Sequence, residues 1–188
     1  MLSTTILDTF SSIEERRSIK QFDPSYKMPD EEIKKIMSLA LLSPTSFNMQ
    51  NWRFVAITDK KIQEEICKAS WNQSQVKDCS LLVVLCADLN AHLKNPERYW
   101  KDAPEAARNA IVPMIVKFYS DNAQLQRDEA MRSTGIAGQT IMLAAKAMGY
   151  DTCPMVGFDP KKVAEIIKLP SDHVISIMIT VGKATQPA

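Results

Sequence analysis

Three cations and a hydroxyl group lie within five consecutive residues near the start of the chain: Arg16, Arg17, Ser18 and Lys20. Guanidinium groups and a hydroxyl match the oxygens of a phosphate, so this cluster is a candidate phosphate site. The same cations would also suit the end of the helix that we expect just before them, because a helix C-terminus carries partial negative charge. The residues alone leave both interpretations open.

A second cluster occupies residues 43–52, between an expected helix and an expected strand. It combines hydroxyl and amide side chains with two aromatic rings, Phe47 and Trp52. Such a surface suits a polar, planar ligand, since ligand sites pair apolar walls with a few placed polar groups. A well-capped turn would use the same residue types, and that alternative stays open.

A third candidate region covers residues 154–159. Here Gly157 permits close approach of the backbone to a ligand, and the apolar neighbours Met155 and Val156 could lie beneath a flat ring. The alternative is a strand-to-helix connection in which Asp159 caps the helix.

Other kinds of site have little support in the composition. The two histidines, His92 and His173, lie far apart and outside any zinc motif, which argues against a metal site and a histidine-based triad. The four cysteines form no C-x-x-C pair and are typical of reduced, buried thiols in a cytoplasmic protein. The 23 basic residues nearly balance the 22 acidic ones, which disfavours a nucleic-acid partner.

We also expect no association with a membrane. The longest strongly apolar run, residues 81–87, is far shorter than the roughly 20 residues that a membrane-spanning helix needs. The first residues lack the pattern of a secretory signal. With 188 residues, the chain is expected to form one soluble domain.

Hydrophobic spacing predicts the elements that must position these clusters. It indicates helices over residues 4–15, 30–42, 60–70 and 160–169, and strands over residues 53–58, 81–87 and 174–181. Residues 103–132 look helical, with interruptions at Pro104 and Pro113. Residues 135–148 are apolar nearly all round, which predicts a buried central helix. Few strands separated by helices favour a three-layer domain around one sheet.

Together these stretches resemble the nitroreductase family of FMN-dependent oxidoreductases. The matching pieces occur in the family's order and read RRSIK, SPTSFNMQNWRF, WNQSQVKDCSLLVVLCAD and GIAGQTIMLAAKAMGYDTCPMVGFDP. Residues 90–130, where the family itself varies, match least. The resemblance implies an α+β fold in three layers (α/β/α), with a central mixed, mainly antiparallel sheet, in a single domain over residues 1–188.

The resemblance implies non-covalent FMN at the interface of a homodimer, so that one site draws on two chains. The first stretch would contact the phosphate and polar edge of FMN through Arg16, Arg17, Ser18 and Lys20. The second would reach the FMN of the partner chain through Pro44, Thr45, Ser46, Asn48 and Gln50. Asn51 stands where the family often has proline.

The remaining stretches would hold the flavin ring. Asn72 and Gln75 match the pair that binds its pyrimidine end, and Pro154, Met155, Val156 and Gly157 match the segment packed on one ring face. The backbone N–H of Val156 would point at flavin N5, through which hydride passes, and is the group that we assign as catalytic. Many relatives carry glutamate at this position.

The resemblance also implies roles for residues that match the family's motifs less directly. Lys183, just after the last strand, is the candidate for a second phosphate contact. Residues 90–130 correspond to a helical cover segment that shapes substrate access, where Phe118 and Tyr119, and less so Trp100, could stack on a flat substrate. Helix packing is the alternative for these rings. We assign Trp52 and Trp71 to the core.

The resemblance therefore predicts a cytoplasmic enzyme that uses NAD(P)H to reduce flat, electron-poor acceptors such as nitroaromatics and quinones. The predicted kinetics are ping-pong, with hydride transfer through flavin N5 and no metal. Two alternatives remain at this point. One is a flavin-binding storage or sensing module without turnover, and the other is a specialised reductive dehalogenase or flavin-fragmenting relative.

Overall fold

The computed structural model describes residues 6–188, so part of the helix expected over residues 4–15 lies outside the described residues. The helices are α1 (Thr9–Glu15), α2 (Asp30–Ala40), α3 (Lys60–Ala69), α4 (Gln75–Asp78), α5 (Glu105–Tyr119), α6 (Ala123–Ala147) and α7 (Pro160–Ile166). The strands are β1 (Trp52–Ile57), β2 (Leu81–Asp88), β3 (Asp151–Met155) and β4 (His173–Gly182). Short 3₁₀ turns occur at Ser46–Asn48 and Pro96–Trp100.

The four strands form one sheet in the order β1-β2-β4-β3, with every neighbouring pair antiparallel. A single parallel bridge, from Ser18 to Thr152, adds the segment that follows α1 to the β3 edge. This arrangement confirms the expected mainly antiparallel sheet. It also leaves β1 and β3 at opposite edges, with two strands between them.

Side chains alternate along β2, and each face of the sheet has its own core. Leu81, Val83 and Leu85 pack with residues of α2 and α6 on one face. Leu82 and Val84 pack with residues of α3, α4 and α7 on the other. A strand buried along its whole length is therefore covered by helices on both sides, which confirms the three-layer arrangement.

Helix α6 is a single helix of 25 residues where the sequence suggested two separate pieces. It passes through Gly135 without interruption and brings Gly138 against the side chains of Leu85 and Ile179. The expected break at Pro113 is also wrong, because α5 continues through this residue. The carbonyl that loses its helical partner there belongs to Asn109, which is exposed and so accessible to water.

The cover segment packs on the loop that precedes β1. Ile115 and Tyr119 of α5 form a small core with Met49 and Ala91, and Phe47 and Trp100 lie against it. The Trp100 indole N–H donates to the Phe47 carbonyl at 3.1 Å. The conformation of residues 45–50 therefore depends on the cover.

An ion-pair network ties the start of the cover to the sheet. The Lys94 ammonium lies 2.9 Å from the buried Asp88 carboxylate and 2.5 Å from that of Asp172, which also contacts His173. Asp88, Asp172 and His173 are grouped closely enough to bind a cation. The lysine ammonium already lies between the two carboxylates, so we assign the group to structure. Among residues 6–188, no helix combines the length and apolar character needed to cross a membrane.

Candidate functional site

Residues 16–20 run in extended conformation beside the first residues of β3. The Ile19 N–H donates to the Thr152 carbonyl at 3.0 Å, which fixes this segment against the sheet edge. Arg16 and Lys20 both lie near Cys153, where their charges oppose the dominant effect of burial, which raises the pKa of that thiol. The Arg16 Nη1 atom is buried and contacts no acceptor within residues 6–188. A buried, unpaired guanidinium nitrogen suits an anionic ligand.

Arg17 differs from Arg16 because side chains alternate along an extended segment. Its Nη1 atom donates to the carbonyls of Glu14 and Arg16, at 2.7 and 2.9 Å. Arg17 thus satisfies carbonyls at the end of α1, as the helix-end interpretation predicted. We reassign Arg17 from cofactor binding to this capping role.

Residues 71–75, which lead into α4, meet residues 154–157 at the end of β3. The Gln73 side-chain amide donates to the Gly157 carbonyl at 2.8 Å, and Gln75 Nε2 donates to Gln73 Oε1 at 3.2 Å. The Asp159 N–H donates to the Ala69 carbonyl at 2.8 Å. These bonds bring the residues predicted to bind the pyrimidine end next to those predicted to lie under the ring.

Two apolar side chains at this junction face solvent. Val156 is 76% exposed and Trp71 is 73% exposed, so the assignment of Trp71 to the core is wrong, whereas Trp52 is buried as predicted. Both Trp71 and Asn72 have left-handed backbone conformations, with φ of 55°, which turn the ring outward beside Gly157. Within residues 6–188, the Val156 backbone N–H donates to no protein acceptor. The junction therefore offers a flat apolar surface and a free donor.

The loop over residues 44–50 has a strained backbone, which is held by hydrogen bonds within the loop and to Glu129 of α6. Phe47, Asn48 and Gln50 all have positive φ, at 53°, 52° and 44°. The Gln50 N–H donates to Thr45 Oγ1 at 2.9 Å, and the Ser46 N–H faces the carboxylate of Glu129 at 3.5 Å. Non-glycine residues held in this region mark loops that the surrounding structure constrains, often at functional sites.

This loop does not reach the junction within one chain. Residues 44–50 precede β1, whereas residues 154–157 are the last two residues of β3 and the two that follow it, and these strands are the two edges of the sheet. Three strand spacings of about 4.8 Å put the two edges roughly 14 Å apart. No hydrogen bond in the described part of the chain joins the loop to residues 71–75 or 154–157.

Lys183 does not join the cation cluster. Its Nζ atom donates to the Gly149 carbonyl at 2.6 Å and lies 4.2 Å from the centre of the Tyr150 ring. The Tyr150 hydroxyl in turn contacts Tyr26 and Glu32. Lys183 is therefore engaged where α6 turns into β3, and its conformation gives no support to a phosphate contact.

The two adjacent aromatic residues of α5 have different surroundings. Tyr119 is 1% exposed and contacts Phe47 and His92, so its ring is not open to a substrate and we reassign it to packing. Phe118 is 52% exposed and meets the Tyr119 ring edge-on at 5.1 Å. Phe118 stays a candidate for substrate contact.

The sequence interpretation missed Gln73, Trp71 and Glu129. Gln73 gave a usable signal, because it lies between Asn72 and Gln75, which were both singled out. Glu129 is buried on α6, where its carboxylate accepts from Ser133 at 2.7 Å and pairs with Arg132 at 3.2 Å. Nothing in the local sequence around Glu129 shows that it lies beside Ser46.

Comparison with known proteins gives matches over nearly the whole chain. The family model described as "Nitroreductase family" matches residues 13–183. The protein DrgA of Synechocystis sp. is 50% identical over 182 residues, which cover 97% of this chain and 87% of that protein. An oxygen-insensitive NADPH nitroreductase of Helicobacter pylori is 32% identical over 183 residues, covering 94% and 87%.

A solved structure has a similar fold over nearly the whole length of this chain. A protein described as a nitroreductase in complex with FMN, from Exiguobacterium sibiricum, superposes with a TM-score of 0.90 at 30% identity. The match covers 98% of this chain and 93% of that one.

Proposed function

The chain belongs to the nitroreductase family, and we propose that it is an FMN-dependent oxidoreductase that takes electrons from NAD(P)H and reduces flat, electron-poor acceptors such as nitroaromatics and quinones. The names of its relatives support the nicotinamide donor. A similar protein has been crystallised with FMN, which supports the cofactor.

The observation that carries the proposal is the junction of residues 71–75 with residues 154–157. It brings the neutral amide of the largely buried Gln75 together with the free N–H of Val156 and two exposed apolar side chains. A flavin ring has an apolar face and a polar edge, so these residues fit it.

Bound FMN would supply hydride chemistry at its N5 atom, and the chain's own groups orient it. We assign the Val156 N–H as the donor to that atom, and Asn72 and Gln75 as the partners of the pyrimidine end. Arg16, Ser18 and Lys20 bind the phosphate, for which the buried Arg16 Nη1 supplies an unpaired donor. Pro154, Met155, Val156 and Gly157 cover one face of the ring, so donor and acceptor take turns on the other.

We further propose a homodimer in which Pro44, Thr45, Ser46, Asn48 and Gln50 complete the partner's site. The position of this loop, at the sheet edge opposite the junction, supports a two-chain site. So do exposed apolar side chains on or just before α1 and just after α2: Ile6, Phe10, Ile13, Leu41 and Leu42. Beside them lies a cavity of about 410 Å³ lined by Leu7, Leu42 and Thr140. Apolar patches of this kind mark interfaces.

The relatives favour turnover over storage, because they carry the names of NAD(P)H nitroreductases. We also propose a cytoplasmic location, since all four cysteines are free and buried.

Rapid-mixing spectroscopy tests this function. The purified protein should be yellow, with about one FMN per chain released on denaturation, and NAD(P)H should bleach the flavin without oxygen. Mixing the reduced protein with nitroaromatics, quinones and halogenated aromatics should restore the colour with the first two classes. A colourless protein that takes up no added FMN would refute the cofactor. A flavin that NAD(P)H does not bleach would support storage instead.

A further inference from the structure

The side chain of Gln73 lies between two groups that we assign to the flavin site. Its Nε2 atom donates to the Gly157 carbonyl at 2.8 Å, and its Oε1 atom accepts from Gln75 Nε2 at 3.2 Å. The first bond joins residues that are 84 positions apart in sequence. Gln73 is half-buried, so these bonds are partly shielded from water.

The direction of each hydrogen bond in this chain of amides is determined by chemistry. A backbone carbonyl only accepts, so the Gln73 amide must present its NH₂ group to Gly157. Its carbonyl oxygen then faces Gln75, which must in turn present its own NH₂ group to Gln73. One N–H of Gln75 is thereby used, and the orientation of its second N–H and of its carbonyl oxygen is determined.

The same contacts determine how closely residues 71–75 approach residues 154–157. A Cβ atom added to Gly157 would lie 3.2 Å from Gln73 Nε2, so the glycine backbone lies directly on the amide. The main chain of Gln73 is also anchored, because its backbone carbonyl accepts from the Cys67 thiol at 3.2 Å and Cys67 lies in α3. Gln73 thus connects a helix of the core, through its backbone, to the loop that carries Val156, through its side chain.

We propose that Gln73 is a positioning residue of the flavin site: it orients the Gln75 amide and holds residues 154–157 at their distance from residues 71–75. This inference rests on the proposed function. Gln73 acts on FMN through Gln75 and Gly157, and its loss changes both how tightly FMN binds and how easily it is reduced.

The replacement Gln73→Met tests the proposal, because methionine keeps the unbranched length and removes both hydrogen bonds. FMN affinity, measured by fluorescence titration of the apoprotein, should weaken about tenfold, the value of one to two neutral hydrogen bonds. The midpoint potential should fall, because an unoriented Gln75 no longer stabilises the negative charge that reduction adds to the pyrimidine end. Gln124→Met, an exposed glutamine on α6, is the matched control and should change neither quantity.

A double-mutant cycle separates positioning from a merely structural role. In a Gln75→Met background, Gln73→Met should change the potential much less than it does alone, because the oriented group is already absent. An unchanged potential in Gln73→Met, or an equal change in both backgrounds, would overturn the proposal.

Urea unfolding of each apoprotein shows whether a variant has lost its fold. If Gln73→Met does not fold, Gln73→Asn replaces it, since its shorter amide cannot span both partners and the same changes are expected. The titration of the unmodified protein is read first. If the unmodified protein binds no FMN, the proposed function fails, whereas normal binding with an unaffected variant refutes only the role of Gln73.

Discussion

The α-carbon of Gly157 lies against the indole ring of Trp71, so closely that an added Cβ would come within 2.7 Å of Trp71 Cζ3. The pair joins the loop before α4 to the loop before α7. Because the ring is otherwise exposed, it can move if the contact tightens.

Gly157→Ala should therefore displace Trp71 without unfolding the protein. The displaced ring belongs to the surface on which we place the flavin, so FMN affinity should weaken several-fold while the urea midpoint changes little. Fluorescence titration of the apoprotein with FMN would measure this. In a Trp71→Ala background the additional methyl group should be harmless, and a loss of FMN affinity caused by Gly157→Ala that persists in that background would contradict the mechanism.

Arg16→Ala should weaken FMN binding by about ten- to a hundredfold, as expected for one charge-assisted contact worth 1.5–3 kcal/mol. Riboflavin, which lacks the phosphate, should bind with unchanged affinity. Arg17→Ala is the matched control, because its guanidinium binds backbone carbonyls at the end of α1. It should lower stability slightly and leave FMN affinity nearly unchanged. Equal losses for riboflavin and FMN in Arg16→Ala would show that Arg16 does not bind the phosphate.

Alanine variants of Phe118 and Tyr119 should distinguish a residue that contacts the substrate from one that packs in the core. Tyr119→Ala removes a buried ring and should lower the free energy of unfolding by about 3 kcal/mol. Phe118→Ala removes a half-exposed ring and should cost less than about 1 kcal/mol, while it alters KM for aromatic acceptors. Urea unfolding and steady-state kinetics on both variants test the pair. A Phe118→Ala enzyme with unchanged KM values would remove Phe118 from the substrate surface.

Dimerisation and FMN binding should strengthen one another. Leu42 is 78% exposed, so Leu42→Asp should leave the isolated chain stable, weaken the dimer and weaken FMN binding at concentrations where the dimer dissociates. Leu93→Asp, at an exposed leucine that is not among the residues proposed for the interface, is the control. Sedimentation of apo and holo forms over a dilution series measures the linkage, and FMN should lower the concentration at which monomer appears. A holoprotein that remains monomeric with full FMN content would rule out the two-chain site.

The cover should loosen in mild acid because of His92. Burial lowers the pKa of this ring below the usual 6.5, against smaller opposing effects of the Leu89 backbone and Asp88, and its Nε2 has no partner within residues 6–188. The unfolded chain then binds the additional proton first, so stability is complete above about pH 6.5 and falls as pH decreases toward the folded pKa. The slope cannot exceed about 1.4 kcal/mol per pH unit for one group.

Urea unfolding of the apoprotein at several pH values between 7.5 and 5 measures this slope, and His92→Gln should flatten it. Asp172 affects stability in a different pH range, because hydrogen bonds from Lys94 and His173 lower its pKa to about 2. Stability from Asp172 is present above its usual pKa near 4 and is lost as pH falls toward 2. A slope between pH 6.5 and 5 that is the same in His92→Gln would assign the acid sensitivity to another group.

Local sequence patterns were sufficient to predict most of the helices and strands and their arrangement in three layers. The uninterrupted apolar run at residues 81–87 could only be a strand buried on both faces, and the structure places it at the centre of the sheet. Hydrophobic spacing located α2 within two residues. The helix breaks were less predictable, since Pro113 and Gly135 have solvent or open space around them and are tolerated inside α5 and α6.

The sequence by itself determined the layers, because these depend on residue type and spacing along the chain, and it determined the family through its resemblance to known motifs. It also named the segments that we propose for the flavin site. Only the tertiary structure decided which side chains within those segments face the site. Phe118 and Tyr119 are neighbours on one helix, and the packing of α5 on residues 45–50 sends one outward and the other inward. Trp71 is exposed because two left-handed residues turn it toward Gly157. The Gln73–Gly157 bond spans 84 positions, a distance over which hydrophobic periodicity carries no information.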